Sequence, residues 1–162
     1  MRKLFLVVCS VILFASVAAA QGKVASQWKC PKPVGGLHLD VGDKPGHTST
    51  LQQIKCSASK GEIAGVKEKE GVGTEFHDAL DNADGFHGTF IETMANGDKI
   101  IYSYEGAATM KNNMMVAGYN NWTASSGTGK FKDIKASGTC KAKGNPDGSS
   151  VFDCTGTYSL GK

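Results

Sequence analysis

GTGKFKDIKASGTCKAKGNPDGSSVFDCTGTYSL, residues Gly127 to Leu160, reads as a β-hairpin almost residue by residue. Asn145-Pro146-Asp147-Gly148 has the chemistry of a type I turn. Pro fixes φ at the second position, and Gly follows where the chain needs a left-handed residue for a G1 bulge. Such a three-residue loop sets Asn145 opposite Ser149, and from there Ala142 faces Phe152, Cys140 faces Cys154, Gly138 faces Gly156, Ala136 faces Tyr158 and Ile134 faces Leu160. Side chains alternate along a strand, so all of these share one face. The other face, with Lys135, Ser137, Thr139, Lys141 and Lys143 against Val151, Asp153, Thr155, Thr157 and Ser159, is nearly all polar. One face is core, the other meets water, and small residues oppose large ones on the core side.

The cysteines test this register independently of hydrophobicity. With Asn145 and Ser149 as a hydrogen-bonded pair, Cys140 and Cys154 form a non-hydrogen-bonded pair with Cα atoms about 4.5 Å apart, within reach of a disulfide. That leaves Cys30 to pair with Cys56. Cys9 belongs to an apolar leader. Arg2 and Lys3 precede the apolar run Leu4 to Phe14, and Ala18-Ala19-Ala20 offers a cleavage site before Gln21, so residues 1–20 read as a signal peptide. The run is too short for a transmembrane helix and no later stretch qualifies. An exported chain with an even count of remaining cysteines is expected to be disulfide-bonded. The expected location is secreted or periplasmic.

The 162 residues carry a formal net charge of +3, with 18 Lys and Arg against 15 Asp and Glu. Losing Arg2 and Lys3 with the leader lowers it to +1. No basic stripe argues for nucleic acid. The mature chain is long enough for one domain with a real core.

Residues 21–46 are rich in Pro and Gly and read as a lead-in, with only Gly36 to Val41 strand-like. The barrel domain is expected over 47–162. Thr48 to Ser59 alternates, with Ile54, Cys56 and Ala58 on one face and Lys55, Ser57 and Ser59 on the other. Glu62 to Phe76 is strand-like but interrupted by Gly65, Gly71 and Gly73. Its charged run, Lys67-Glu68-Lys69-Glu70, reads as a solvated edge or loop. His77 to His87 holds two histidines and three aspartates, yet it fails the calcium-loop pattern, since Leu80 and Ile91 fall where the first and last ligands belong. It reads as a polar surface turn. No metal and no cofactor are expected, and no CxxC pair supports zinc.

Phe86 to Gly106 is a second hairpin. A three-residue loop Asn96-Gly97-Asp98 that pairs Ala95 with Lys99 collects Phe86, Gly88, Phe90, Glu92, Met94, Ile100, Tyr102 and Tyr104 on one face. The hydrophobic pattern decides this, because a slip of one residue would flip a whole strand. Glu92 is the misfit, a carboxylate on an aromatic face opposite Tyr102. Burial is expected to raise its pKa, with Tyr102 donating one hydrogen bond. Thr109 to Met115 reads as a connection, and Val116 to Ala124 as a strand. Asn121-Trp122-Thr123 is a formal glycosylation sequon, relevant only in a host with that machinery. Gly127-Thr128-Gly129-Lys130 lacks the remaining residues of a phosphate loop.

Seven or eight strands joined by tight turns, with no helical periodicity, make an all-β fold: an antiparallel up-and-down barrel of about eight strands, with a β-sandwich as the alternative. Asn96-Gly97-Asp98-Lys99-Ile100, Tyr104-Glu105-Gly106, Ser126 to Ile134 with Gly138-Thr139, Pro146-Asp147-Gly148-Ser149 and Gly156-Thr157-Tyr158 together resemble bacterial exported proteins related to the allene oxide cyclase and dirigent barrel superfamily. The resemblance covers roughly residues 86 to 160. It implies an apolar barrel lumen with one or two polar groups.

Three functions compete on these grounds. The leading one is a binding module holding a small apolar molecule among Phe90, Glu92, Met94, Tyr102 and Tyr104, because the interior face is aromatic and no nucleophile has a base. The second is a cyclase or isomerase with Glu92 as acid or base and Tyr102 as its partner. The third is a structural envelope protein with a filled core. The sequence does not decide the oligomeric state.

Overall fold

The computed structural model describes residues 21–112 and 114–161; the expected signal peptide lies outside them. Ten strands are present among the described residues: β1 (Gln21–Cys30), β2 (Leu37–Asp40), β3 (Thr48–Lys60), β4 (Glu62–Ile63), β5 (Val66–Leu80), β6 (Ala83–Met94), β7 (Lys99–Lys111), β8 (Met114–Gly127), β9 (Lys135–Gly144) and β10 (Ser150–Ser159). Strands β5 to β10 form a meander, β10 pairs with β1, β1 with β3, and β3 with β5, so eight antiparallel strands close into a barrel. Strands β2 and β4 are additions at its margin. The sandwich alternative is set aside by the closed ring.

The last hairpin has the expected register throughout. Cys140 stands opposite Cys154, Gly138 opposite Gly156 and Ala136 opposite Tyr158. Asn145 N donates to Ser149 O at 2.8 Å, and Gly148 closes the turn with φ of 82°, a backbone region that favours glycine. Both expected disulfides are present, Cys30–Cys56 and Cys140–Cys154, the latter with Cα atoms 4.0 Å apart.

The second hairpin uses the same kind of turn, but its loop begins one residue earlier than expected. Met94 N donates to Asp98 O at 2.8 Å and Gly97 takes φ of 87°, so the loop is Ala95-Asn96-Gly97. Glycine, not the Asn-Gly dipeptide as a whole, marks the left-handed last position of the loop, and the register follows it. Glu92 therefore stands opposite Ile100, and Tyr102 opposite Phe90. Moving the loop by one residue shifts each opposed partner by two, which keeps every side chain on its face and lets the expected core set survive the error.

Gln21–Cys30, expected to belong to a lead-in, is instead a full strand. Val24, Ser26, Trp28 and Cys30 point inward and are buried. Pro31 and Pro33 begin only after it, so the Pro/Gly composition of the following residues masked a clean alternation. The break expected within 62–76 lies between β4 and β5, at Ala64-Gly65, and β5 then continues unbroken to Leu80. The expected connection Thr109 to Met115 is mostly strand, as β7 reaches Lys111 and β8 starts at Met114.

Closed curvature needs small residues where large ones cross the interior. A Cβ placed on Gly138 or Gly156 would collide with the Trp122 indole, one on Gly71 with the Phe90 ring, and one on Gly88 with Thr74 O and Tyr104. The barrel end that carries the β6–β7 turn is plugged by Ile63, Met94, Ile100, Phe131 and Ile134, all at most 1% exposed. Phe131 arrives on a 3-10 turn, Gly129–Phe131, which Lys130 ties to the β4–β5 turn by donating from Nζ to Ala64 O. Tyr158 Oη accepts from Ala64 N at 3.0 Å on the same side.

Phe131→Ala is expected to cost about 3–5 kcal/mol, because it empties a fully buried site, whereas Lys141→Ala, on the exposed face, should stay within about 0.5 kcal/mol. Urea unfolding checks both, and equal effects would show the faces to be wrongly assigned.

Candidate functional site

Aromatic rings from four strands line the barrel's cavity in a continuous belt. Trp28 of β1 meets Phe90 of β6 edge-on at 5.1 Å, Phe90 lies 6.3 Å from Tyr102 of β7, and Tyr102 meets Trp122 of β8 edge-on at 5.6 Å. The cavity they enclose measures about 90 Å³. Ile54, Phe90, Tyr104 and Phe152 face inward yet remain only half-buried, so the lumen is not filled by its own side chains.

Three carboxyl groups share this apolar wall: Glu68 and Glu75 from β5 and Glu92 from β6. Glu92, 1% exposed, accepts a hydrogen bond from Tyr102 Oη at 2.7 Å through Oε2. Its other oxygen, Oε1, has no partner. Removal from water pushes the Glu92 carboxyl up to about 8, the nearby Glu68 charge adds to this, and the Tyr102 bond opposes it. Glu68 accepts from Ser26 Oγ at 2.7 Å on Oε1 and leaves Oε2 unpartnered. Burial raises Glu68 to about 7 against the effect of the Ser26 bond. The same burial, reinforced by Glu92, raises the Tyr102 hydroxyl, which therefore stays protonated and donates. Asn120 of β8 contributes a further unpartnered buried oxygen, Oδ1.

Glu75 is held differently. Tyr104 Oη donates to its Oε1 at 2.8 Å, and His77 Nε2 lies 3.2 Å from its Oε2. His77 Nδ1 in turn lies 2.8 Å from Asp84 Oδ2. Burial disfavours the imidazolium, but the bonds to Asp84 and Glu75 outweigh it and raise His77 to about 9. His77 is therefore a cation at neutral pH, bridging two acids near the end of the barrel that carries the β5–β6 turn.

Of the residues expected in the lumen, Phe90, Glu92, Tyr102 and Tyr104 line one cavity, and the Glu92–Tyr102 bond forms although the pair is diagonal rather than opposed. Met94 is buried beyond the cavity wall, toward the plug. Two expectations are corrected. The run Lys67 to Glu70 is not uniformly solvated, because Glu68 points inward and is 8% exposed. A bulge between Glu68 and Glu70 lets both Lys69 and Glu70 face water before Gly71 turns in again, which breaks the alternation that would have exposed Glu68 in the sequence. Nor is His77 to His87 wholly a surface turn. Only Asp81 and Asn82 lie between strands, while His77 and Asp84 are mostly buried partners. Among the described residues no group of three His, Cys, Asp or Glu is placed to hold a metal ion.

The raised values of Glu92 and His77 set a direction for stability. Each folded-state site binds its proton more tightly than the unfolded chain does, so its contribution is full at low pH and lost as pH rises through the folded pKa. For Glu92 the loss runs from about 4.5 to about 8, and for His77 from 6.5 to about 9. The protein is expected to be most stable in mild acid, and Glu92→Gln should flatten the fall between pH values of about 5 and 8. Thermal unfolding across that range checks this; an unchanged pH profile in Glu92→Gln would place the carboxyl in water.

No family model matches the chain, and no curated protein matches it in sequence. Solved structures do. The pterocarpan synthase dirigent protein GePTS1 is similar over 99% of this chain and 100% of its own, with a TM-score of 0.53 and 10% sequence identity. The pterocarpan synthase dirigent protein PsPTS1 is similar over 92% and 99%, with a TM-score of 0.47 and 12% identity. Among the described residues no helix is long and apolar enough to cross a membrane. At 10% identity the likeness to GePTS1 is one of fold, and in fold this chain is a dirigent-like β-barrel.

Proposed function

We propose that the protein is an exported barrel that takes a small, largely apolar molecule with hydrogen-bond donors into its lumen. The observation that carries this is that Glu68, Glu92 and Asn120, each with a buried oxygen that has no partner, line an otherwise largely aromatic cavity. A buried polar atom left without a partner costs about 1–3 kcal/mol, and apolar residues of similar size would remove that cost. A wall kept for stability alone has no use for three of them, which argues against a filled structural core. The cavity of about 90 Å³ is well below the ~300 Å³ and more of ordinary ligand pockets, so the guest is small or enters by one end. Export is supported by the two disulfides together with the leader pattern of residues 1–20.

A second reading, an isomerase or cyclase, is favoured by one specific observation. Glu68 and Glu92, at about 7 and about 8, titrate around neutral pH, the range in which a general acid or base is most effective. Glu92 would exchange the proton, and Tyr102 would hold its carboxyl in place. A pterocarpan synthase is among the proteins that share the fold, but its chemistry comes to this chain only as a precedent for an enzyme on such a barrel.

Native mass spectrometry of protein purified from its own host is expected to show a bound small molecule, released on unfolding. Glu92→Gln should lose that molecule while gaining stability near neutral pH, the exchange of stability for function seen at working sites. A chain of bare mass from every preparation, with Glu92→Gln merely more stable, would leave the carboxyl without a role and the lumen reading without support.

A further inference from the structure

The three carboxyl groups of the cavity are not equivalent in what balances them. Glu75 faces the His77 imidazolium at 3.2 Å and the Tyr104 hydroxyl at 2.8 Å, so its charge is matched. Glu68 and Glu92 have only neutral partners, the hydroxyls of Ser26 and Tyr102. Among the described residues no Lys, Arg or His lies in the cavity wall. Both residues line the cavity, Glu92 at 1% exposure and Glu68 at 8%, and each has one buried oxygen without a partner, that of Glu68 lying beside Gly61. The remaining wall is the belt of Trp28, Phe90, Tyr102 and Trp122, whose π-faces attract cations and repel anions.

We infer that the lumen is a binding site for a small organic cation, a primary alkylammonium whose N–H groups meet Glu68 and Glu92 while its carbon chain lies against the aromatic belt. This rests on the lumen reading above and names the chemistry of the guest. Charge decides for an ammonium over a neutral alcohol. Either supplies donors, but only the cation balances two carboxyls that are otherwise held partly protonated by burial, with the Glu68 charge adding to the effect at Glu92. Size agrees: about 90 Å³, several times the ~10–15 Å³ that one water needs by the same measure, takes a guest of a few heavy atoms. Binding shifts the protons of Glu68 and Glu92 to solvent, so association releases protons. Glu75 takes little part because His77, tied to Asp84 as well, already neutralises it.

The test is an NMR titration of the purified protein with propylammonium and, separately, with the neutral 1-propanol. Affinity for propylammonium should climb between about pH 6 and about pH 9, by roughly a hundredfold if ionisation of Glu92 near 8 governs it, and 1-propanol should bind weakly with no pH dependence. In the unaltered protein the carboxyl carbon of Glu92 should titrate at lower pH once propylammonium is added, a readout that needs no variant. Glu92→Gln should remove most of the pH dependence. If 1-propanol binds as well as propylammonium, or if propylammonium affinity is flat with pH, the cation inference is overturned while the lumen reading stands. Should neither compound perturb a resonance of Trp28, Phe90, Tyr102 or Trp122, the cation inference fails, whereas the lumen reading falls only if native mass spectrometry also shows a chain of bare mass.

Discussion

Everything inside this barrel depends on one seam. Seven of the eight junctions of the ring are long ladders, but β1 and β3 share only three paired positions, with an irregularity after the first. The Cys30–Cys56 disulfide lies at the end of that seam and joins the two strands covalently. It reinforces a short ladder: β2 takes part of the β3 edge, over Thr48 to Leu51, while β5 pairs along the other edge. Without closure there would be two open sheet edges and no enclosed lumen.

Closure also determines the electrostatics. With one end stoppered by Phe131, Ile63 and Met94, inward carboxyls meet aromatic rings instead of bulk water. Glu68 and Glu92 respond by taking up protons more readily, and Glu75 faces His77 and accepts a hydrogen bond from Tyr104. Three similar side chains on one wall thus acquire two different characters from their neighbours alone. The difference is a property of placement along β5 and β6, not of residue type.

The legible part of the fold was the part governed by local rules. Pro146-Asp147-Gly148 sets a turn, and the alternation on either side of it then requires Cys140 to meet Cys154. Glu92 stood out because every residue sharing its face was apolar or aromatic. What could not be read had non-local causes. β1 takes its identity from β10 and β3, far away in the chain, and its neighbouring prolines gave a misleading composition. Glu68 was concealed by a bulge, which shifts the alternation by one residue and leaves no mark in composition. The second hairpin's register departs from expectation because its turn requires only a glycine at the third place, which makes the loop Ala95-Asn96-Gly97 and not Asn96-Gly97-Asp98.

The pairing of β1 with β10 has a bearing on how the molecule is made. Gln21 lies beside Ser159, and Cys30 beside Ser150, so the first strand has to wait for the last before it has its full complement of partners. A chain delivered from its N-terminus exposes β1 with its hydrogen-bonding edges bare throughout synthesis or translocation, while the meander β5 to β10 can zip up in sequence. Sequence-distant pairing of this kind slows folding and prolongs the life of sticky intermediates. Closing the ring therefore has to wait for β10, and oxidation of Cys30 with Cys140 before then would tie β1 to β9 in the place that β10 occupies.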